Sequence, residues 1–491
     1  MGDYLDLNSV RPSSESIATI DDYATYLSSY LDADQIELVV RAYNFADLAH
    51  ADQKRRSGEP YISHPLAVSV MLAEMRMDTA SLCAALLHDV IEDTHFCKAD
   101  IENAFSYEIA ELVDSLTKLT HINFDSKAHA QAENFQKMAM GMAKDIRVIL
   151  IKMSDRLHNM RTLGALNSEK KRRIGRETLE IYAPIAQRLG MNNFRLEFEE
   201  LSFKYLYPLR RKRIKSAVEK KRGHRKEVVE KIRGAIEHRL DQEDIAANVS
   251  GREKHLYSIY TKMQQKARAF DEITDVFGCR ITVDNVDACY RVLGIVHSMY
   301  KPKPNTFKDY IAIPKQNGYQ SLHTVLFGMH GIPVEVQIRT LEMDALANNG
   351  IAAHWLYKSG ASAAIEEDAG HARAREWLQS LLDIQARVGS SLEFVEHVKD
   401  DLFPDEVFVF TPKGDIHELP AGATPIDFAY HIHTDVGNHC MGCKIDHNLA
   451  PLSEPLKSGQ TIEIITDSGA YPAPHWLNFV VTGRARSSIR H

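Results

Sequence analysis

Leu86–Thr94 reads LLHDVIEDT and places a histidine-aspartate pair at the end of an apolar run, with two further acids one helical turn later. Residues four apart share one face of an α-helix, so His88 with Glu92 and Asp89 with Asp93 can point into one pocket. Imidazole and carboxylate groups gathered in this way are typical of a metal ion and the water that it activates. The stretch therefore predicts a metal site at the end of a buried helix.

Length and composition indicate a large globular protein. The chain has 491 residues, 44% of them hydrophobic, which is enough for several cores and favours three or four domains. We find no signal-like N terminus and no long apolar run, so the cytoplasm is the expected location. The six cysteines are too few and too scattered for a disulfide framework and are expected to be reduced.

The net charge of −8 argues against a protein coated in nucleic-acid-binding surface, but the charge is unevenly distributed. Residues 210–239 contain thirteen basic and four acidic side chains, a local charge of +9. The simpler interpretation is the solvated face of a helical hairpin or linker that begins after Pro208. The alternative is a surface that faces RNA or polyphosphate.

Hydrophobic periodicity divides the chain. Apolar spacing of three and four residues predicts helices from Ala33 to Leu206. After Ala246, strands are predicted at 280–283, 310–313, 321–327 and 333–338, with helices at 255–265, 288–300 and 341–356. A flexible connection follows at 360–370, and then a β-rich module at 405–467 with one helix near Pro425–Ile432.

Three other stretches of the helical part can complete the site. Residues 50–65 contribute His64, residues 152–162 contribute Asp155, and residues 114–118 contribute a polar helix end. Together with His88 and Asp89, His64 and Asp155 would form a mixed nitrogen and oxygen site that suits Mn²⁺, Fe²⁺ or Zn²⁺. One His-Asp pair is weak evidence in a chain with 23 histidines, but separate pieces reinforce one another. His158, next to them, is expected to be a packed or supporting histidine.

The same stretches supply groups for a phosphate substrate. Glu92 and Asp93 would orient or deprotonate the attacking water. Arg55 and Arg56 would provide positive charge for a phosphate-rich molecule.

These pieces resemble, nearly residue for residue, the HD-type hydrolase domain of the long RelA/SpoT-homologue family, which controls the alarmones ppGpp and pppGpp. The resemblance implies that His64, His88, Asp89 and Asp155 hold Mn²⁺. It implies removal of the 3′-diphosphate, which gives GDP or GTP plus pyrophosphate. The nucleotide pocket would be lined by Arg55, Arg56, Asn159 and Thr162.

The middle of the chain resembles the family's alarmone synthetase domain, a mixed-sheet, nucleotidyltransferase-like α/β fold. The resemblance implies that Asp275 and Glu335 are catalytic acids, which would hold Mg²⁺ and activate the 3′-hydroxyl of GDP or GTP towards ATP. Tyr319 would stack on the acceptor guanine. The expected nucleotide contacts are Arg252, Lys254, Lys262, Lys308, Lys315, Tyr319 and His323.

The synthetase pattern has lost an arginine. The family's Arg-x-Lys-Asp motif appears as Thr306-Phe307-Lys308-Asp309, Asn305 replaces the usual glycine, and Gly278 stands where alanine is usual. Threonine lacks the planar, bidentate contacts of a guanidinium group, so we predict a weakened or inactive synthetase beside an active hydrolase. The alternatives are a balanced bifunctional enzyme and a non-catalytic module that senses alarmone or tRNA.

The β-rich module resembles the family's small β-grasp TGS domain. This resemblance implies contact with tRNA and the ribosome, or with a regulatory protein, through His433. Cys440 and Cys443 are only half of a zinc site and are expected to occupy a strand.

The predicted fold is therefore a multidomain α+β protein. Its expected parts are an all-helical hydrolase domain (1–206), a basic helical linker (207–245), a synthetase-like domain (246–358), a helical connector (359–402), a TGS domain (403–468) and the start of a truncated helical region (469–491).

Overall fold

The computed structural model describes residues 17, 19–56, 58–118, 145–265, 277–315, 317–328, 333–353 and 406–490. These residues fall into two compact units, 17–353 with its gaps and 406–490. The expected order of a helical part, a mixed-sheet part and a small β-rich part is confirmed. Asp275 and the connector predicted at 359–402 lie outside the described residues.

The first part of the chain is helical. Its α-helices span Ile20–Leu27, Ala33–Ala49, Ser63–Glu74, Thr79–Leu87, Val90–Asp93, Lys98–Ala104, Tyr107–Lys118, Ile146–Arg161, Ser168–Glu177, Ala183–Arg188 and Asn192–Leu206. A 3₁₀ turn at Leu163–Ala165 and a π-helical segment at Thr178–Tyr182 complete it.

The Thr79–Leu87 helix is buried on every side. Its residues from Ser81 to Leu87 are all buried, as expected of a helix that is apolar all round and forms the centre of a domain. Asp78 caps its N terminus by accepting a hydrogen bond from the Ser81 backbone N–H at 2.8 Å. The helix ends at Leu87 and His88 is its C-cap, so the His88 side chain lies in the protein interior.

One arginine fixes the neighbouring helix. The Arg147 guanidinium lies 2.7 Å from a carboxylate oxygen of Asp145, which caps the Ile146–Arg161 helix. It also contacts the cap of the buried helix, Asp78, at 3.4 Å, and Glu108 at 2.7 Å. The two helices that carry site residues thus share one anchor.

The basic segment forms a single helix, Pro208–Gln242, and the hairpin alternative is wrong. Its apolar side chains recur at three- and four-residue spacing and pack in the same hydrophobic core as the sheet that follows. This continuous buried stripe stabilises the segment as one helix. The buried residues of this stripe are Ile214, Val218, Val228, Val229, Ile232, Ile236 and Leu240.

The sheet that follows has five strands. They are β1 (Ala247–Glu253), β2 (Phe277–Val283), β3 (Lys308–Asp309), β4 (Leu322–Phe327) and β5 (Pro333–Thr340). Their order is β1-β2-β5-β4-β3, with β2 and β5 parallel and the other neighbours antiparallel. Helices span Leu256–Gln265, Val286–Met299 and Leu341–Asn349, followed by a 3₁₀ turn at Gly350–Ala352.

Two predictions for this part need correction, and one strand was missed. The strand expected at 310–313 is a turn, because the Asp309 carboxylate accepts hydrogen bonds from the backbone of Ile311 and Ala312, both at 2.9 Å. The helix expected at 341–356 ends at Asn349, since Gly350 takes a φ of +55°. Strand β1 was not predicted, because its polar residues hide the alternation.

The helical and mixed-sheet parts meet in backbone contacts. Gly350 packs against the turn at Gly190, which has a φ of +72°, and the Ile351 N–H donates to the Leu189 carbonyl at 3.0 Å. The Asn317 side-chain amide donates to the Gln187 carbonyl at 3.0 Å.

The second unit contains two small sheets. Strands β6 (Glu406–Phe410) and β7 (Ile416–Pro420) form a hairpin, while β8 (Cys440–Ile445), β9 (Asn448–Ala450) and β10 (Ile462–Thr466) form a sheet in the order β10-β8-β9. Helices span Pro425–Ile432, Thr434–Asn438 and Gly483–Arg490, with a 3₁₀ turn at Pro474–Asn478. The fully buried Asp427 accepts hydrogen bonds from the backbone of Val481 and Thr482, which binds the last helix to this unit.

Among the described residues, no helix has the combined length and apolar character needed to cross a membrane.

We expect Gly350→Ala to disrupt the joint between the helical and mixed-sheet parts. A Cβ at this position would lie 2.1 Å from the Leu189 carbonyl oxygen, which is backbone and cannot rotate away. The free energy of unfolding should fall by about 1–3 kcal/mol, measured by urea denaturation. Gly234→Ala is the matched control, since nothing lies within 4 Å of its Cβ position and alanine favours a helix. Wild-type stability in Gly350→Ala would contradict the described joint.

Candidate active site

The four predicted metal ligands come from three segments of the chain, since His88 and Asp89 are adjacent. They are His64 in the first turn of Ser63–Glu74, His88 at the end of Thr79–Leu87, Asp89 at the start of Val90–Asp93 and Asp155 in Ile146–Arg161. His64, His88 and Asp155 are buried.

The structure brings these side chains together. One donor atom from each of His64, His88 and Asp155 lies within 4.8 Å of the other two. The Asp155 Oδ1 atom is 3.2 Å from His64 Nε2 and 4.0 Å from His88 Nε2. Asp89 joins the group, with its Oδ1 atom 3.1 Å from His88 Nε2.

The two imidazoles are held so that their Nε2 atoms face the carboxylates. His88 Nδ1 lies 2.8 Å from the Ala85 carbonyl oxygen and donates to it, and His88 Nε2 is buried without a hydrogen-bond partner. His64 Nδ1 lies 2.8 Å from Nδ1 of His158. Burial and the neighbouring His64 lower the pKa of His158 to about 3, so His158 is neutral and can accept this hydrogen bond. His64 can then present a lone pair at Nε2, and His88 would do so once a bound cation displaces its Nε2 proton, since a metal ligand must be deprotonated.

The site has strong local electrostatics. Burial alone would raise the pKa of Asp155, but Lys152, at 2.8 Å, and the two imidazoles hold it well below its usual range. Burial would lower the pKa of His88, but Asp89 and Asp155 outweigh this effect and raise it to about 9. The two carboxylates therefore remain ionised and attract positive charge. An orphaned Nε2 atom beside ionised carboxylates fits a divalent cation.

Sequence reasoning missed Tyr61. Its hydroxyl group donates to Asp89 Oδ2 at 2.7 Å and to Asp93 Oδ2 at 2.9 Å. Burial and the two acids raise its pKa, so it stays protonated at neutral pH. Its only signal in the sequence was its position three residues before His64.

The predicted nucleotide pocket borders the metal-ligand group. The Arg55 guanidinium donates to Asn159 Oδ1 at 3.1 Å and contacts Thr162 Oγ1 at 3.4 Å. The Asn159 amide in turn donates to Asp155 Oδ1 at 2.5 Å. Arg56 is exposed and Glu92 is half-buried.

A second group lies on the five-stranded sheet. Arg252 donates to the Gln337 side chain at 2.7 Å, and Gln337 donates to Glu335 at 3.2 Å. His323 lies between Glu335, 3.5 Å from its Nδ1, and the Tyr319 hydroxyl, 2.7 Å from its Nε2. Five of the predicted or neighbouring side chains therefore form one continuous chain of polar contacts.

The charges around this series of polar contacts keep the Glu335 carboxylate ionised. Burial would raise the pKa of Glu335, but His323 and Lys254 outweigh it and lower the pKa to about 2. Lys315 lies over the Tyr310 ring at 5.0 Å, and Lys308 lies over it at 6.0 Å. Lys262 is half-buried on the Leu256–Gln265 helix.

Three positions depart from the family pattern of the synthetase domain: Asn305, Thr306 and Gly278. Thr306 is half-buried, and its hydroxyl group donates to the Lys303 carbonyl at 2.7 Å, while Asn305 takes a φ of +59°. Gly278 pairs with Glu335 across the parallel strands, and a Cβ there would lie 2.6 Å from the Glu335 carbonyl oxygen. Glycine therefore permits the close approach of the strand that carries Glu335.

Sequence reasoning also missed a basic group beside Tyr319. Arg339 is 2% exposed, lies 5.9 Å from the Tyr319 ring centre and pairs with Asp344. Arg280 lies 3.3 Å from the same Asp344, and burial together with Arg339 lowers the pKa of Arg280 to about 10. These residues were overlooked because strand arginines carry no motif of their own.

In the second unit, His433 is 65% exposed and its Nδ1 atom accepts from the Asp435 backbone N–H at 3.2 Å. Cys440 and Cys443 lie on strand β8, where they belong to two different apolar clusters. The expected strand position of the two cysteines is therefore confirmed.

Comparison with known proteins gives three family matches. The models described as "HD domain", "Region found in RelA / SpoT proteins" and "TGS domain" match residues 42–192, 251–362 and 407–466. The bifunctional (p)ppGpp synthase/hydrolase SpoT of Escherichia coli K12 is 56% identical over 464 residues, which cover 94% of this chain and 66% of that protein.

Two further relatives carry different names. The guanosine-3′,5′-bis(diphosphate) 3′-pyrophosphohydrolase of Vibrio cholerae is 56% identical over 94% of this chain and 65% of its own length. A GTP pyrophosphokinase of Myxococcus xanthus is 46% identical over 94% of this chain and 61% of its own length. The chain thus spans just under two thirds of the length of these relatives. With the three domain matches in this order, the chain belongs to the long RelA/SpoT family and is close to SpoT.

Proposed function

We propose that this chain hydrolyses (p)ppGpp with water to GDP or GTP plus pyrophosphate, at a Mn²⁺ site formed by His64, His88, Asp89 and Asp155. The observation that carries the proposal is the convergence of His64, His88 and Asp155, whose donor atoms lie within 4.8 Å of one another. Close relatives named as pyrophosphohydrolases support the same reaction. We further propose that the enzyme works in the cytoplasm.

The donor set fits the proposed cofactor. Two imidazole nitrogens and carboxylate oxygens suit Mn²⁺, as they suit Fe²⁺ or Zn²⁺, and the family resemblance favours Mn²⁺. When bound, such a cation supplies Lewis acidity that polarises a phosphoryl oxygen and makes water a stronger nucleophile.

The protein's own groups perform the remaining tasks. Arg55, held by Asn159 and Thr162, offers a guanidinium group to the nucleotide or its phosphates. Arg56 adds positive charge at the exposed rim. Glu92 and Asp93 would accept the proton of the attacking water.

For the mixed-sheet domain we propose a weakened synthetase. Thr306 cannot offer the phosphate contacts of the expected arginine, which supports this assignment. Asp275 and Glu335 remain the proposed acids for Mg²⁺, with Lys262, Lys308 and the other predicted contacts around ATP and GDP or GTP.

The alternative is a balanced bifunctional enzyme, and one observation favours it. The chain of contacts from Arg252 through Glu335 and His323 to Tyr319 is assembled. A non-catalytic sensor is less well supported, because sensing alone requires neither a set of metal ligands nor acids that activate water.

We propose His433 as the point at which the TGS domain contacts RNA or a regulatory protein, since its side chain is exposed.

We expect Asp89→Ala to reduce pyrophosphate release from ppGpp by more than about 100-fold, because a cation ligand is lost. The measurement is a coupled pyrophosphate assay with MnCl₂. Asp47→Ala, which removes an exposed acid from the same domain, is the control and should retain activity. Full activity in Asp89→Ala would refute the proposed metal site.

We expect Thr306→Arg to raise ppGpp synthesis from ATP and GDP at least about tenfold, since one charged contact to a transferring phosphoryl group is worth this much or more. Thin-layer separation of labelled nucleotides measures the rate. Thr306→Lys, which adds charge without a planar fork, should recover less. Substantial synthesis by the wild-type protein, equal to that of Thr306→Arg, would support the balanced bifunctional alternative, and inactivity of both would show that Thr306 is not what limits synthesis.

A further inference from the structure

Tyr61 occupies an unusual position between two acids of the proposed hydrolase site. Its hydroxyl group lies 2.7 Å from Asp89 Oδ2 and 2.9 Å from Asp93 Oδ2. A phenol has one proton, so this proton is shared between a proposed metal ligand and a proposed water-serving acid. Charge-assisted bonds of this kind are among the stronger hydrogen bonds in proteins.

The ring of Tyr61 is itself held in place. It stacks on the His50 imidazole with a centre-to-centre distance of 4.4 Å and an interplanar angle of 24°. His50 Nδ1 lies 3.0 Å from the side-chain oxygen of Gln53, and the Gln53 amide donates to the Asp93 carbonyl at 2.8 Å. Tyr61 is therefore fixed from one side by the loop and from the other by the end of the Val90–Asp93 helix.

Both oxygens of Asp89 face a proposed metal ligand, and Tyr61 binds one of them. Oδ1 lies 3.1 Å from His88 Nε2, while Oδ2 lies 3.9 Å from His64 Nε2 and accepts the hydrogen bond from Tyr61 at 2.7 Å. A carboxylate bound in this way cannot rotate freely about its Cβ–Cγ bond. Supporting hydrogen bonds to metal ligands typically change metal affinity or activity by 10–100-fold.

We propose that Tyr61 is a positioning residue that sets the rotation of Asp89 for metal binding and fixes Asp93 relative to the metal. This inference rests on the proposed hydrolase function, but its metal-binding half can be tested without any nucleotide. Tyr61 also lies in the loop that carries Arg55, since the Tyr61 N–H donates to the Gln53 carbonyl at 3.3 Å. The positioning contact therefore connects the nucleotide side of the site with the metal side.

The test compares Tyr61→Phe with wild-type protein. The substitution removes the hydroxyl group and retains the ring on His50. We expect the dissociation constant for Mn²⁺, measured by calorimetric titration of metal-free protein, to rise about 10–100-fold. With saturating Mn²⁺, kcat for ppGpp should fall about 10–100-fold, while KM changes less than about threefold because no substrate contact is lost.

Tyr23→Phe is the matched control. It removes a hydroxyl group of the same domain that forms an equally short hydrogen bond, 2.7 Å, but to Ser69 Oγ. This variant should lose stability and retain its Mn²⁺ affinity. Equal Mn²⁺ affinity in Tyr61→Phe and wild type, or no Mn²⁺ binding by wild type, would overturn the inference. If wild type binds Mn²⁺ but does not hydrolyse ppGpp, the proposed function fails while the titration still decides the role of Tyr61.

A double mutant tests whether Tyr61 affects kcat through its hydrogen bond to Asp93. If Tyr61 acts on kcat through Asp93, Tyr61→Phe should add little to the loss in an Asp93→Asn background. Losses that multiply in the double mutant would contradict this link.

Discussion

Burial of the Asp155 carboxylate is the constraint around which the helical domain is arranged. A charged group without water is stable only if positive charge and hydrogen bonds replace its hydration. Lys152 at 2.8 Å, His64 at 3.2 Å and the Asn159 amide provide both. The surrounding helices must deliver these groups to one point, and Arg147 helps by binding the caps of two of them.

One helix face connects the proposed metal ligands to the proposed nucleotide pocket. Lys152, Asp155, Asn159 and Thr162 follow one another at intervals of three or four residues in and just after the Ile146–Arg161 helix. The counter-ion, the ligand and the pocket residues are therefore set by the same backbone. Arg55 and Tyr61 approach from a single loop opposite this face, so the proposed substrate pocket and the proposed metal site share their supports.

The sequence predicted much of this arrangement because periodicity and residue chemistry are local. Helical spacing located the first domain, and the residue types of His64, His88, Asp89 and Asp155 indicated their chemistry. Tyr61 was missed because a tyrosine in a loop has no spacing rule and acquires its role only through tertiary contacts. Strand β1 was missed because its register comes from pairing with β2, and the 310–313 turn depends on a side chain that competes with strand hydrogen bonds. Asp275 stays a prediction.

Anomalous diffraction at the manganese edge, from crystals grown with MnCl₂, tests the central claim most directly. The account predicts one strong peak bounded by His64 Nε2, His88 Nε2 and the carboxylates of Asp89 and Asp155. A peak elsewhere in the helical domain, or no peak while these four side chains keep the described positions, would contradict it.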